Sequence, residues 1–434
     1  MPVPIVCLDA RLHHFVEAVA ACLSKPQRRH FVTVLLAVLL CREPRTLSGL
    51  RRQVAGGGSV AALSRFLSEA PWSAEEVAAR WRARFDGQVA PLVAAEHARQ
   101  RAGRPRRRGR PAATAVTGYL IGDDSTVHKP KGKKMEGLGR HYSTTSGKPV
   151  VGHSLVQGLY VVAGRRCPLA PQLYRQRASC EAAGVPFRSK IDLMTGTIRD
   201  FAPLADTQTH VLVDSWYSAK AVWRAARERG FLITSGLKSN RSLRVPDADD
   251  PRGWRWQRLD EYAAGLPDDA YTAVTWPTQE GGRTVYAHVV QTRVRKLYRC
   301  QVVIVREALD APLSQARYWA SSDLHADLAT LVGHLAARWQ VEVLFADAKD
   351  VLGLDHYQLM SAAALLRCWT LVLAAYAYLE EEQARVQRAR QAHVTIGETR
   401  EAVQRAHQRH VLRWLQTQFQ GGATPETVAA ALAA

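Results

Sequence analysis

The chain has 434 residues, 47% of them apolar, and its 59 Lys and Arg against 39 Asp and Glu give a formal charge of +20. That length and apolar share exclude a disordered chain and imply two to four globular domains. The charge points to a polyanionic partner, usually nucleic acid, with an anionic membrane surface as the rival. No run reaches the ~18 apolar residues that a membrane span needs. The longest, residues 31–41, predicts a buried helix. The N-terminus lacks the charged start and apolar run of a secretion signal. Seven cysteines, an odd number with no C-x-x-C pair, argue against a disulfide framework or structural zinc and fit a reducing cytoplasm. His13-His14 reads as a surface pair rather than a metal site.

Residues 1–100 read as helical. "TLSGLRRQV" (46–54), "SVAALSRFLS" (59–68) and "SAEEVAARWRARF" (73–85) each open on Ser or Thr, and Ser73 with Glu76 predicts a capping box. Short helices around a glycine turn fit either a helix-turn-helix bundle or a plain packing domain. "GRPRRRGRP" (103–111), with Arg106, Arg107 and Arg108, is a basic linker resembling a minor-groove AT-hook core. Residues 101–150 carry twelve Lys/Arg against three Asp/Glu.

From 114 the texture changes. "TGYLIG" (117–122) predicts a strand ending at Asp123-Asp124, and 153–164 and 167–175 predict two more. Then come a helix (190–204), a buried strand (210–216), a helix closing on Gly230 (218–230) and a strand (231–238). This order predicts a mixed α/β sheet with crossover helices. Residues 240–322 alternate as strands and predict a β-rich insertion. From 323 the chain is helical, and "EEEQARVQRARQ" in the tail reads as a mixed-charge solvated face.

Three acids stand out by position. Asp124 follows one predicted strand, Asp214 follows another, and Glu342 lies in a long predicted helix. Sites in open α/β sheets form beyond the carboxyl ends of strands. Two carboxylates meeting there suit Mg²⁺, and a third from a helix would complete a two-metal site. Asp124 also reads as a turn residue, Asp214 as a cap for the helix near Ser218, and Glu342 as the i,i+4 partner of Arg338. In "RWQVEVLFADAK", Arg338, Glu342 and Lys349 fall on one helical stripe. Cations on both sides of a carboxylate suit the grip on a phosphodiester strand.

These segments resemble DDE transposases of bacterial insertion sequences, the cut-and-paste group with the signature Y-x-x-R-x-x-x-E-x-x-x-x-x-x-K. "VLVDSWYSAK" resembles the group's second-acid context, and Asp124 before Ser125 its first. The resemblance spans roughly 115–355. It implies a ribonuclease H-like catalytic domain (114–239 and 323–355), interrupted by the β-rich insertion (240–322). A helical DNA-binding domain (1–100) and the basic linker (101–113) would precede it, and a helical C-terminal region (356–434) would follow. Asp124, Asp214 and Glu342 would ligate two Mg²⁺, with Mn²⁺ as substitute. Arg338 and Lys349 would contact the transposon-end backbone, and Trp339 would lie near distorted end bases or pack. Lys129, Lys131, Lys133, Lys134 and Arg140 would draw in DNA.

The implied partners are double-stranded DNA, as element ends and target, and a second copy of the chain, in the bacterial nucleoid and without a membrane. Leu335 stands where the signature has tyrosine, which puts end positioning or hairpin handling in question. Asp123 and Asp124 compete for the first position, and Asp124 is favoured because it precedes the hydroxyl residue. A ribonuclease H-like nuclease or resolvase, or a non-catalytic DNA-binding derivative, is the alternative reading.

Overall fold

The computed structural model describes residues 3–4, 8–41, 45–55, 57–102, 115–143, 146–278 and 281–433. Arg106, Arg107 and Arg108 lie outside these residues. The N-terminal part comprises β1 (Val3–Pro4), α1 (Ala10–Val19), α2 (Lys25–Leu40), α3 (Leu47–Gln53), β2 (Val54–Ala55), α4 (Val60–Ser68) and α5 (Ala74–Ala102). Side chains start these helices: Thr46 and Ser59, as expected, and also Asp9 each accept a first-turn N–H, which satisfies donors that have no partner within the helix. The Ser73 box is half formed. Ser73 accepts the Glu76 N–H at 3.0 Å, but its hydroxyl donates to Glu75. Helix α5 continues to Ala102, well beyond the predicted Phe85, and enters the stretch expected as linker.

The central part follows: β3 (Val116–His128), β4 (Gly139–Ser143), β5 (Lys148–Val162), β6 (Arg165–Pro168), β7 (Gln172–Tyr174), α6 (Arg177–Ala182), α7 (Lys190–Asp200), β8 (Thr207–Val213), α8 (Lys220–Glu228) and β9 (Leu232–Leu237). β3 does not stop at Gly122. Antiparallel pairing with β5 carries it through both acids to His128, because β5 is long enough to satisfy its backbone. Helix α8 closes on Gly230 at φ 67°, a left-handed position that favours glycine.

Next come β10 (Ser242–Pro246), β11 (Trp254–Arg258), α9 (Leu259–Ala264), β12 (Thr272–Trp276), β13 (Arg283–Arg293), β14 (Arg299–Arg306) and β15 (Arg317–Ser321). The insertion is rich in strands as expected, but β12–β15 do not form a sheet of their own. The large sheet runs β12-β13-β14-β15-β9-β8-β3-β5-β4, with β6 and β7 also pairing β5. β15 completes the edge of β9 that would otherwise be unpaired. Within the insertion, the β10–β11 hairpin stands apart as a two-stranded sheet.

The chain ends in α10 (Leu328–Arg338), α11 (Gln340–Ala346), a π-turn at Asp347–Val351, α12 (Ala362–Arg390), α13 (Ile396–Gln420) and α14 (Pro425–Ala433). Helices α7 and α8 lie on one face of the sheet. On the other, α10 seals a satellite core in which Leu331, Val332 and Leu335 meet Val285, Val303, Val305 and Trp319. Leu335, where the signature has tyrosine, is therefore a buried packing residue.

Helix α12 is the hub, touching α2, α4, α5, α13, β6 and β7. It, rather than 31–41, is the longest apolar helix. By length and composition it could cross a membrane, but 72% of its apolar window is buried inside the protein, as expected of a core helix. Its "EEE" is not a solvated face. Glu380 and Glu382 are buried, and Glu380, Glu381 and Glu382 pair with Arg166 (2.6 Å), Arg84 (2.5 Å) and Arg11 (2.9 Å).

Candidate active site

Two strand ends bring two acids together. Parallel pairing of β3 with β8 runs to Gly122↔Val213 and stops, so Asp123 and Asp214 are the next residue on each strand. Past that point the loop after β8 needs room. A Cβ on Gly236 of β9 would sit 2.8 Å from the Ser215 nitrogen, so glycine there lets the Asp214 loop lie against the sheet. Asp214 does not cap α8, whose N-cap is Ala219. Its Oδ1 instead accepts the N–H groups of Trp216 (3.0 Å) and Tyr217 (3.2 Å), a turn that fixes the carboxylate.

Strand alternation separates Asp123 from Asp124. Tyr119, on the same side of β3 as Asp123, packs against His334 of α10, with ring centroids 5.6 Å apart. Asp123 therefore faces α10 and α11, where Arg338 Nη1 reaches its Oδ2 at 3.3 Å and Arg338 Nη2 donates to Glu342. One guanidinium thus bridges the strand acid and the helix acid. The expected single long helix is broken at Trp339, where α10 ends and α11 begins, yet Arg338 and Glu342 still pair across the break. Burial, and then the neighbouring Asp214, push the Asp123 carboxyl up to about 7. Asp214 is also raised, mainly by burial, against the opposing pull of its backbone hydrogen bonds and Arg338.

Asp124 points the other way and does not join Glu342, contrary to expectation. Its carboxylate takes Lys190 Nζ of α7 at 2.5 Å and the Tyr217 hydroxyl at 2.8 Å. The two-residue period of the strand turns the acid before the hydroxyl residue away from Arg338 and Glu342 and its neighbour Asp123 toward them. Sequence reading missed Lys190 and Tyr217. Tyr217 had a signal in the "DSWY" run, whereas Lys190 had none, because α7 is brought to β3 only by folding.

A family model described as DDE superfamily endonuclease matches residues 18–103 and 102–299. This chain belongs to the DDE superfamily endonucleases. The match includes Asp123, Asp124 and Asp214 and ends before Arg338, Glu342 and Lys349, so the helix acid stands on geometry. No curated protein matches the chain. Among solved structures, a piggyBac transposase synaptic complex with hairpin DNA superposes with a TM-score of 0.41 at 11% identity, covering 93% of this chain and 77% of that one.

The remaining predicted residues of this DDE endonuclease divide by accessibility. Lys349 is turned by the π-turn onto β3, where it donates to Ser125 Oγ at 2.8 Å; it braces the strand that carries Asp123 and is half-buried. Lys129 is likewise engaged, bonding the carbonyls of Asp355 (2.5 Å) and Tyr357 (2.7 Å) and lying over the Tyr357 ring. Lys131, Lys133, Lys134 and Arg140 are exposed. Trp339 is 59% exposed rather than packed, and Trp216, two residues past Asp214, is 60% exposed. Neither position is an economical place for a large apolar ring in water.

An open cleft of about 640 Å³ adjoins the acids, lined by Asp214, Gly236, Arg317, Tyr318, Trp319 and Arg338 among others. Among the described residues no three His, Cys, Asp or Glu side chains are close enough to hold a metal ion. The donors are nonetheless of the right kind: oxygen-only carboxylates, one raised toward neutral pH by burial and then by its acidic neighbour, which is an arrangement relieved by a hard cation.

Proposed function

We propose that this DDE endonuclease is a DNA transposase, cutting element ends and joining the freed 3′-OH to target DNA. The observation that carries the reading is the convergence of Asp123 and Asp214 at abutting parallel strand ends, with Glu342 tied to Asp123 through Arg338. The strand order β4-β5-β3-β8-β9, three antiparallel strands followed by two parallel ones, supports a ribonuclease H-like core. Asp123, Asp214 and Glu342 would hold divalent ions, Mg²⁺ or Mn²⁺. Bound there, such ions make an attacking water or 3′-hydroxyl more acidic and stabilise the leaving oxygen.

The chain's own groups do the rest. Arg338 neutralises two carboxylates at once and keeps them adjacent while no cation is present. The Asp214 turn holds that carboxylate at the cleft. Lys131, Lys133, Lys134 and Arg140 raise the local concentration of anionic DNA. Trp216 and Trp339 offer exposed ring faces beside the acids on which a base can stack.

The test is incubation of purified protein with labelled element-end duplex and target plasmid in Mg²⁺. Cleaved ends and joined products are expected. Glu342→Ala should lower both by at least about 10²-fold while leaving duplex binding in place. Cleavage without joined products would make the protein an endonuclease only. Undiminished cleavage by Glu342→Ala would remove the site.

A further inference from the structure

A second surface carries positive charge that the site does not use. The segment "RVRKLYR" (293–299) closes β13 onto β14 with four cations and no acid. Arg293, Arg295, Lys296 and Arg299 are exposed, and among the described residues no ion pair involves any of them. Elsewhere the protein's surface arginines commonly find acids, as Arg252 does with Asp250 and Arg258 with Asp260.

Two features of this turn cost stability. Arg293 is the direct cross-strand partner of Arg299, and like charges placed opposite each other repel. Lys296 sits at φ 65° in a turn closed by the Leu297 N–H on the Val294 carbonyl, a left-handed position that normally favours glycine or asparagine. Folding alone gives no reason for lysine there.

Other elements add to the same surface. The β10–β11 hairpin is fastened to it by Arg295 N–H on the Ser242 carbonyl (2.8 Å) and by Thr292 Oγ1 on the Arg244 carbonyl (2.5 Å). That places Arg244, itself stacked on Trp254 at 4.3 Å, beside the turn. From α8, Arg227 lies over the Tyr298 ring at 5.1 Å. By register, Arg299 is five residues along β14 from Ile304, the partner of cleft residue Tyr318, or about 17 Å at the rise of a strand. The surface is therefore separate from this wall of the cleft, at a distance of roughly five base pairs of duplex.

We propose that Arg227, Arg244, Arg293, Arg295, Lys296 and Arg299 form a sequence-independent binding surface for the phosphate backbone of duplex DNA, remote from the cutting site. The proposal rests on the reading of DNA as substrate. Repulsion between Arg293 and Arg299 is relieved when phosphates lie between them, and lysine at the turn tip projects its charge farthest from the sheet.

The test is fluorescence anisotropy of the full chain with a labelled 30-base-pair duplex across a salt series, without divalent ions. The variant Arg293→Gln/Arg295→Gln/Lys296→Gln/Arg299→Gln should reduce the slope of log affinity against log salt by about 3 and weaken binding more than 10-fold at low salt. Lys296→Gly should reduce the slope by about 1 and raise the melting temperature, a combination that a misfolded variant does not give. The paired control Arg252→Gln/Arg258→Gln should leave the slope in place. An unchanged slope in the fourfold variant, or an equal fall in the control, overturns the surface while leaving the cutting site standing. A wild-type chain that binds no duplex would overturn the reading of DNA as substrate and this surface together.

Discussion

Two groups of carboxylates in this protein answer burial in opposite ways. At the end of α12, Glu380, Glu381 and Glu382 each have an arginine of their own, drawn from β6, α5 and α1, and Glu382 has a second in Arg385. Where the parallel pairing of the central strands β3 and β8 ends, Asp123 and Glu342 share the single guanidinium of Arg338, and Asp214 has, among the described residues, only backbone N–H groups within bonding distance. The first group is electrically complete and ties the N-terminal helices to the sheet. The second is short of positive charge, and that shortage is what a substrate-bound cation can fill. A cluster built for stability matches charges; one built for chemistry leaves them unmatched.

The sharpest way to break this comparison is Asp123→Asn. Cleavage should fall by at least about 10²-fold. Stability should move the other way. An unfolded aspartate loses its proton near 3.8, whereas buried Asp123 keeps it to about 7, so the folded state binds more protons between those values and loses stability as pH rises through them. Above pH 7 the loss is complete, and the asparagine variant should then be the more stable protein, on the order of a few kcal/mol at most. Thermal melts at pH 5 and pH 8 would check it. For the wild type, Mg²⁺ should raise the melting temperature more at pH 8 than at pH 6. A variant that is equally active, or no more stable at pH 8, would show Asp123 to be an ordinary paired acid.

Glu380→Gln tests the other cluster. It leaves Arg166 buried without its counter-ion and should destabilise the protein by about 3 kcal/mol in chemical denaturation, with cleavage per folded molecule unchanged. Loss of cleavage without loss of stability would place this cluster in the chemistry as well. The smallest effect is expected at Asp124→Asn, which keeps the Tyr217 bond and gives up part of the Lys190 pair. Stability should fall by about 1 kcal/mol, and cleavage should stay within about 10-fold of wild type. If Asp124→Asn abolishes cleavage and Asp123→Asn does not, the two aspartates exchange roles.

Much of this was legible one residue at a time. Helix starts at Thr46 and Ser59, the buried helix over 31–41, and the strands flanking the acids follow from capping chemistry and periodicity, which are local. The Arg338–Glu342 pair was legible because i,i+4 neighbours meet on any helix, even across the break at Trp339. Lys129 and Lys349 read as DNA contacts because sequence shows charge but not what lies opposite. Folding gave Lys129 two carbonyls from beyond α11, and the π-turn gave Lys349 a serine on β3. "EEEQ" read as solvent-facing for the same reason, since Arg166, Arg84 and Arg11, which pair with its three acids, precede them by more than 200 positions.

The sequence by itself determined which residue types the protein has for its chemistry: a basic chain, two aspartates closing apolar strands, and a glutamate one helical turn from an arginine. Tertiary structure alone decided which aspartate lies beside Arg338 and Glu342, because β5 extends β3 past its parallel partner and strand alternation then turns adjacent side chains to opposite faces. It also decided which carboxylates are neutralised and which are left short of charge. Electrostatic matching depends on distances through space, and these exist only once the chain has folded.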